Sequence, residues 1–267
     1  MSPTFSASLA SVDGAVMLAS SATIPATDEG LLRGDGVFEV IRLYAGRPFA
    51  FEEHLTRLER SASNLRLPLD LEAVRSDAWR LLRHAGTGRD HELLRIVVTR
   101  GGRRLLLTES LPKTADRARL ATITYAPTRI LDGVKSLSYA ANMLASRLAR
   151  ERGFDEALLV TPHGRVLEAP TSSLFWVKDG EALTPPLSEH ILASITRRVV
   201  IDVSGARERE CTLQELLEAD EVFLASTVRE VQPVIAVDDR RYDGDAPTTA
   251  QIAEQVAVRI KSELDAS

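Results

Sequence analysis

Lysine is scarce in this chain. Of its 33 basic residues only Lys113, Lys135, Lys178 and Lys261 are lysines; the rest are arginines. Lys113, Lys178 and Lys261 fall in a polar stretch, a turn and a terminal helix. Lys135, in GVKSLSYAANMLA, stands between an apolar residue and a small-residue helix start. Lysine can shed a proton and attack a carbonyl as an amine, which arginine cannot, and burial favours the neutral form. Downstream, Glu168 in RVLEAPTSSLFWV opens a run of hydroxyls, Thr171, Ser172 and Ser173. Thr196 in SITRRVV marks a helix start, where unpaired N–H groups suit an anion such as phosphate. Ser226 and Thr227 follow the apolar run EVFLA in a second hydroxyl-rich turn. Arg57, in EEHLTRLERSA, falls off the apolar stripe of its helix and so can face a ligand. Each group also has an ordinary structural role: a snorkelling lysine, a helix cap, a solvated acid, a surface arginine.

The elements that must position these groups can be read from periodicity. VFEVIRLY is a strand, flanked by the turns Gly34-Asp35-Gly36 and Ala45-Gly46-Arg47-Pro48. A helix follows with Leu55, Leu58, Ala62 and Leu65 on one face, then another with Leu71, Val74, Ala78, Leu81 and Ala85 in line. LLRIVVTRGG and ARLATITYAP are strands, and APTRILDG is a short connector bounded by proline and glycine. Beyond it come the helix after Lys135, the strand EALLVT, two strands joined at Lys178-Asp179-Gly180, the helix ASITRRVVIDVSG with its C-cap glycine, a helix running into EVFLAS, and a closing helix. The expected organisation is α+β: a small domain over residues 1–120, a linker over 121–133 and a large domain over 134–267.

Composition narrows the function classes. With 44% hydrophobic and 27% charged residues the chain is an ordinary globular sequence. A net charge of −5, with arginines scattered among acids, gives no nucleic-acid footprint. No stretch has the length of a membrane span, and the opening MSPTFSASLASVDG lacks the pattern of a secretory leader. The single Cys211 permits no internal disulfide. These features point to a cytoplasmic protein. His54, His84, His91, His163 and His190 show no metal-ligand spacing, so no metal is expected. Phosphate-loop, dinucleotide and serine-nucleophile motifs are missing.

Taken in order, GDGVFEVIRLY, EEHLTRLERSA, VKSLSYAANMLA, RVLEAPTSSLFWVKDG, SITRRVV and STVREVQPV resemble the blocks of the class IV aminotransferases. These are the pyridoxal-phosphate enzymes of fold type IV, which include branched-chain and D-amino-acid aminotransferases and aminodeoxychorismate lyase. The resemblance runs from about Asp28 to about Val234. It implies a two-domain α+β fold with pyridoxal 5′-phosphate in the interdomain cleft, and a homodimer. It implies that Lys135 forms a Schiff base with the cofactor and shuttles the proton, and that Glu168 keeps the pyridine nitrogen protonated. Arg57, the backbone of Ile195, Thr196 and Thr227 would hold the phosphate, with Ser172 and Ser226 completing the cofactor shell. Tyr139, one helical turn beyond Lys135, would reach the phenolic oxygen. Ala169 and Ser173 stand where the family commonly has Gly and Asn.

The substrates implied are an amino donor and a 2-keto acid, bound near Phe38 and Arg42, which share a strand face, and Arg100 at the end of another strand. RGGRRLLLTES lacks the Arg-x-His carboxylate trap of D-specific relatives. The expected activity is amino transfer. The alternatives are an aminodeoxychorismate lyase that releases pyruvate to give 4-aminobenzoate, and a catalytically silent binding module on the same fold.

Overall fold

A computed structural model describes residues 8–86, 92–242 and 244–266. His91 and the opening residues 1–7, named in the expectations above, lie outside that set. The chain divides into two compact units, Met1–Pro112 with Gly133–Tyr139, and Lys113–Asp132 with Ala140–Ser267.

The first unit is built on a six-stranded antiparallel sheet. Its strands are β1 (Leu9–Val12), β2 (Ala15–Leu18), β3 (Gly36–Tyr44), β4 (Arg47–Pro48), β5 (Leu93–Thr99) and β6 (Arg104–Glu109), in the order β2-β1-β6-β5-β3-β4. The short helix α1 (Glu29–Arg33) precedes β3, and α2 (Phe51–Asn64) and α3 (Leu71–Ala85) follow it. Alternation along β3 sends Val37, Ile41 and Leu43 into a core with Leu55, Leu58 and Ala62 of α2, Val74, Ala78 and Leu81 of α3, and Leu94, Ile96 and Val98 of β5. Phe38, Val40 and Arg42 therefore lie on the opposite face.

The second unit holds a mixed sheet of eight strands. They are β7 (Ala118–Thr124), β8 (Glu156–Val160), β9 (Ser173–Lys178), β10 (Glu181–Thr184), β11 (Arg207–Glu208), β12 (Glu221–Ser226), β13 (Glu230–Val237) and β14 (Arg240–Arg241). The order is β11-β10-β9-β12-β13-β7-β8, with β14 also on β13. Helices α4 (Ala140–Glu151), α5 (Ile195–Ser204), α6 (Leu213–Leu217) and α7 (Pro247–Ala266) complete it. Phe175 and Phe223, opposite each other on β9 and β12, stack at 4.9 Å.

Two expectations about organisation change. ARLATITYAP was expected to close the small domain and 121–133 to link the two. Instead β7 is an inner strand of the second sheet, parallel to both β13 and β8. Its periodicity gives a strand but not the sheet it joins. The chain then returns to the first unit for only seven residues, Gly133–Tyr139, before α4 begins.

Candidate active site

Lys135 lies on that returning segment. Ser136 bridges Val37. The Lys135 carbonyl accepts from Phe38 N at 3.0 Å and the Gly36 carbonyl from Leu137 N at 2.8 Å. Lys135 N donates to Ser61 Oγ on α2 at 3.2 Å. The segment is thus sewn to the start of β3 as a short extra strand, and close approach requires Gly36. A Cβ there would meet Leu137 Cδ1 and the Val98 carbonyl oxygen, both at 2.6 Å. The Lys135 backbone is fixed while its Nζ stands 4.3 Å from the centre of the Phe38 ring and 5.9 Å from that of Tyr139. Phe38 and Tyr139 meet edge to face at 5.3 Å. Tyr139 is therefore beside Lys135, but through extended chain and not a helical turn, because α4 starts only at Ala140.

Arg57 departs from the ordinary role of an off-stripe arginine. It is buried, not surface-facing. His54, Arg57 and Ser61 recur at intervals of three and four, so they form a polar seam along α2 beside its apolar stripe. The acid that this seam meets is Glu39, which shares the core-facing side of β3. Arg57 Nε and Nη2 donate to the two Glu39 carboxylate oxygens at 2.7 and 2.6 Å, and His54 Nδ1 bonds Glu39 Oε2 at 2.7 Å. Burial alone would raise the pKa of Glu39, but Arg57, with help from His54, outweighs it and holds the carboxyl at about 2. Burial depresses the pKa of His54 more than Glu39 lifts it, and the charges of Arg57 and then Lys135 push the same way. Counting apolar positions missed this network, because a polar residue buries when a partner waits inside. Glu39 at an inward position of VFEVIRLY was the available signal.

Arg42 keeps its expected face with Phe38, and its guanidinium lies 5.3 Å from the Tyr44 ring. Arg100 does not serve the expected role. Its guanidinium is taken up by both carboxylate oxygens of Asp35, at 2.9 and 3.2 Å, and by the carbonyls of Leu65 and Arg66 at the end of α2. It ties structural elements together.

The remaining candidates gather within the second unit. Glu168 follows a short apolar run, VL, that forms no strand of its own. It lies in a loop held beside β8 by reciprocal bonds between Leu159 and the Leu167–Glu168 backbone. Its Oε1 accepts from Leu192 N at 3.2 Å, just ahead of α5. Tyr125, past the end of β7, has its phenol pKa raised by burial and then by the charge of Glu168; no local pattern marks it. Asn142 of α4 donates to the Pro170 carbonyl at 3.0 Å, holding the loop from the other side. Ser173 pairs with Ala225, so Ser172-Ser173 and Ser226-Thr227 lie at the same end of neighbouring strands. At the start of α5, Ser194 caps Arg197 N at 3.2 Å, and the N–H groups of Ile195 and Thr196 have no partner within the helix.

A further network secures the Ser226-Thr227 turn. Arg229 N donates to Ser226 Oγ at 3.2 Å. The Arg229 guanidinium reaches Gln232 Oε1 at 2.6 Å and buried Glu156 Oε2 at 2.8 Å. Glu156 Oε1 accepts from Ser146 Oγ at 2.7 Å and from Ala157 N at 3.0 Å.

Comparison with known proteins decides what this arrangement belongs to. The family model for amino-transferase class IV matches residues 36–237. The chain belongs to the class IV aminotransferase family. A putative branched-chain-amino-acid aminotransferase of Methanocaldococcus jannaschii is 36% identical over 82% of this chain and 84% of its own. A D-alanine aminotransferase of Listeria innocua is 33% identical over 87% and 89%. Among solved structures, the PLP-bound form of a hypothetical aminotransferase from Mycobacterium tuberculosis matches with a TM-score of 0.86 at 27% identity, covering 96% of this chain and 99% of that one. The class IV transaminase is a pyridoxal-phosphate-dependent enzyme of the type IV fold.

The residues present fit that cofactor. Among the described residues Ser172 Oγ and Ser173 Oγ are buried hydroxyls with no hydrogen-bond partner. They neighbour Glu168, a carboxylate suited to a ring nitrogen, and lie at the sheet end that carries the Ser226-Thr227 hydroxyls.

Proposed function

We propose that this class IV transaminase works through Lys135, moving an amino group between an amino acid or amine and a 2-keto acid. The observation that carries the reading is the setting of Lys135: a pinned backbone with the amine held over Phe38 and beside Tyr139. Bound pyridoxal phosphate supplies the aldehyde that receives the amino group and the ring that takes up electrons from the substrate Cα. Lys135 holds the cofactor by its amine and carries the proton to and from that Cα. Glu168 keeps the ring nitrogen protonated. The N–H groups at Ile195 and Thr196, with Thr227 and Ser226, bind the phosphate. Arg57 is assigned to the same phosphate. Ser172 gives the cofactor a buried hydroxyl, Tyr139 meets its phenolic oxygen, and Phe38 and Arg42 line the substrate side.

The working molecule is read as a cytoplasmic homodimer. The exposed apolar side chains Leu18, Leu31 and Leu32 of the first unit support association. Among the described residues no helix is long and apolar enough to cross a membrane.

The test is a visible spectrum of the reconstituted enzyme titrated with single L- and D-amino acids. Conversion of the cofactor to its amine form by a donor alone is expected, and the responsive donor names the substrate class. Borohydride reduction followed by peptide mapping should leave the cofactor on Lys135, and label on any other residue sinks the assignment. Pyruvate release from aminodeoxychorismate without an amino acceptor would instead identify the lyase chemistry.

A further inference from the structure

We propose that Arg229, anchored on Glu156, is a positioning residue that holds the Ser226-Thr227 turn in the shape that binds the cofactor phosphate. The inference rests on the reading of that turn above and names the residue that sets it. Thr227, Val228 and Arg229 make up the whole connection between β12 and β13, whose closing pair is Ser226 opposite Glu230. Glu230 then takes a left-handed conformation, with φ 54°. A tight hairpin turn commonly ends on such a residue. Glycine adopts that conformation without strain, and glutamate does not. Groups outside the turn must therefore fix its shape.

Arg229 anchors the turn through both its main chain and its side chain. Its backbone N–H donates to Ser226 Oγ at 3.2 Å, which closes the turn on its first hydroxyl. A hydroxyl that accepts this bond still has its own hydrogen to donate, and a phosphate oxygen takes it. The guanidinium donates from Nη1 to Gln232 Oε1 at 2.6 Å and from Nη2 to Glu156 Oε2 at 2.8 Å. Both acceptors are themselves held. Gln232 Nε2 donates to the Ala115 carbonyl ahead of β7. Glu156 Oε1 accepts from Ser146 Oγ on α4 at 2.7 Å and from Ala157 N at 3.0 Å. The side chains of Arg229 and Glu156 are only 12% and 4% exposed. A buried ion pair adds little stability over an apolar pair of similar volume, so what it supplies here is geometry. Arginine's planar fork meets two acceptors at a fixed angle, as a lysine ammonium does not. Because Glu156 and Gln232 take up the fork, Arg229 acts on the phosphate through the turn and not as its ligand.

The experiment measures the dissociation constants of pyridoxal phosphate and of pyridoxal, which lacks the phosphate. It uses the full chain and the variants Arg229→Lys, Arg229→Met and Arg229→Met combined with Glu156→Gln. The readout is the ratio of the two constants, which a general loss of stability does not move. Arg229→Met is expected to weaken pyridoxal phosphate by about tenfold to a hundredfold, the loss of a hydrogen bond to a charged group, and to leave pyridoxal binding as it was. Arg229→Lys keeps the charge but not the fork, and its ratio should fall between. Arg229→Met alone strands the Glu156 carboxylate, which threatens the fold. The double variant removes both charges and should show the same phosphate-selective loss. The proposal is overturned if the double variant keeps the wild-type ratio, whether it binds both compounds tightly or both weakly. If the turn does not bind phosphate at all, the wild type already binds the two compounds alike, before any variant is made. If wild type binds pyridoxal phosphate without joining it to Lys135, the Lys135 reading fails and the ratio still tests Arg229.

Discussion

Glu39 has no access to solvent, yet the charge of Arg57, with a hydrogen bond from His54, holds its carboxyl well below the usual range. Breaking such a group leaves an uncompensated buried charge, so Glu39→Ala should destabilise the enzyme by about 3–5 kcal/mol, read as a lower denaturation midpoint. The acid limb follows from the sign of the shift. The folded pKa of about 2 lies below the ordinary 4.5, so the unfolded chain binds the proton more readily. The stabilisation from Glu39 is present above about pH 4.5 and is lost as pH falls toward 2. A denaturant midpoint measured across that window should fall more steeply in wild type than in Glu39→Gln; parallel curves would refute the assignment. At this scale residue types were legible and partners were not. The scarcity of lysine singled out Lys135, whereas Arg57 was read from the spacing of leucines, which is blind to a buried carboxylate.

Among the elements, the addition of Gly133–Tyr139 to β3 matters most for chemistry. It aligns Lys135 with Phe38 through backbone bonds, which no side-chain pattern encodes. Gly36→Ala should cost roughly 1–3 kcal/mol, the usual penalty for overpacking. It should also weaken cofactor affinity, because the new methyl meets the Val98 carbonyl and the tip of Leu137. Equilibrium dialysis against pyridoxal phosphate checks this, and unchanged affinity would show that the segment is not held by that contact. The longer helices were readable from period, and the structure caps them with Ser194 before α5 and with the capping box of Thr212 and Glu215 at α6. The state of the apolar run before Glu168 was not, since VLEA follows the edge of β8 as a loop with isolated bridges. A short apolar run fits either state, and only its neighbours decide.

For the whole molecule, the α+β class and the order of family blocks were legible, and the partition of strands between sheets was not. β7 looks like β5 and β6 in composition, and its membership is set by β8 and β13, whose residues lie far along the chain. The homodimer read above is tested by light scattering on the holoenzyme. A mass about twice 29.2 kDa is expected, and a mass equal to it would remove the association.

The return of Gly133–Tyr139 to the first unit bears on how the protein is made. A ribosome releases Met1–Pro112 well before it releases the residues that complete that unit. Until then the Phe38 amide lacks its native acceptor on Lys135, and the polar seam of α2 lacks the Lys135 amide that meets Ser61. The amino-terminal unit therefore matures only after β7, the inner strand that begins the other unit, has been synthesised. Cutting the gene after residue 112 yields an unfinished unit, and the reactive lysine arrives with the piece that finishes it.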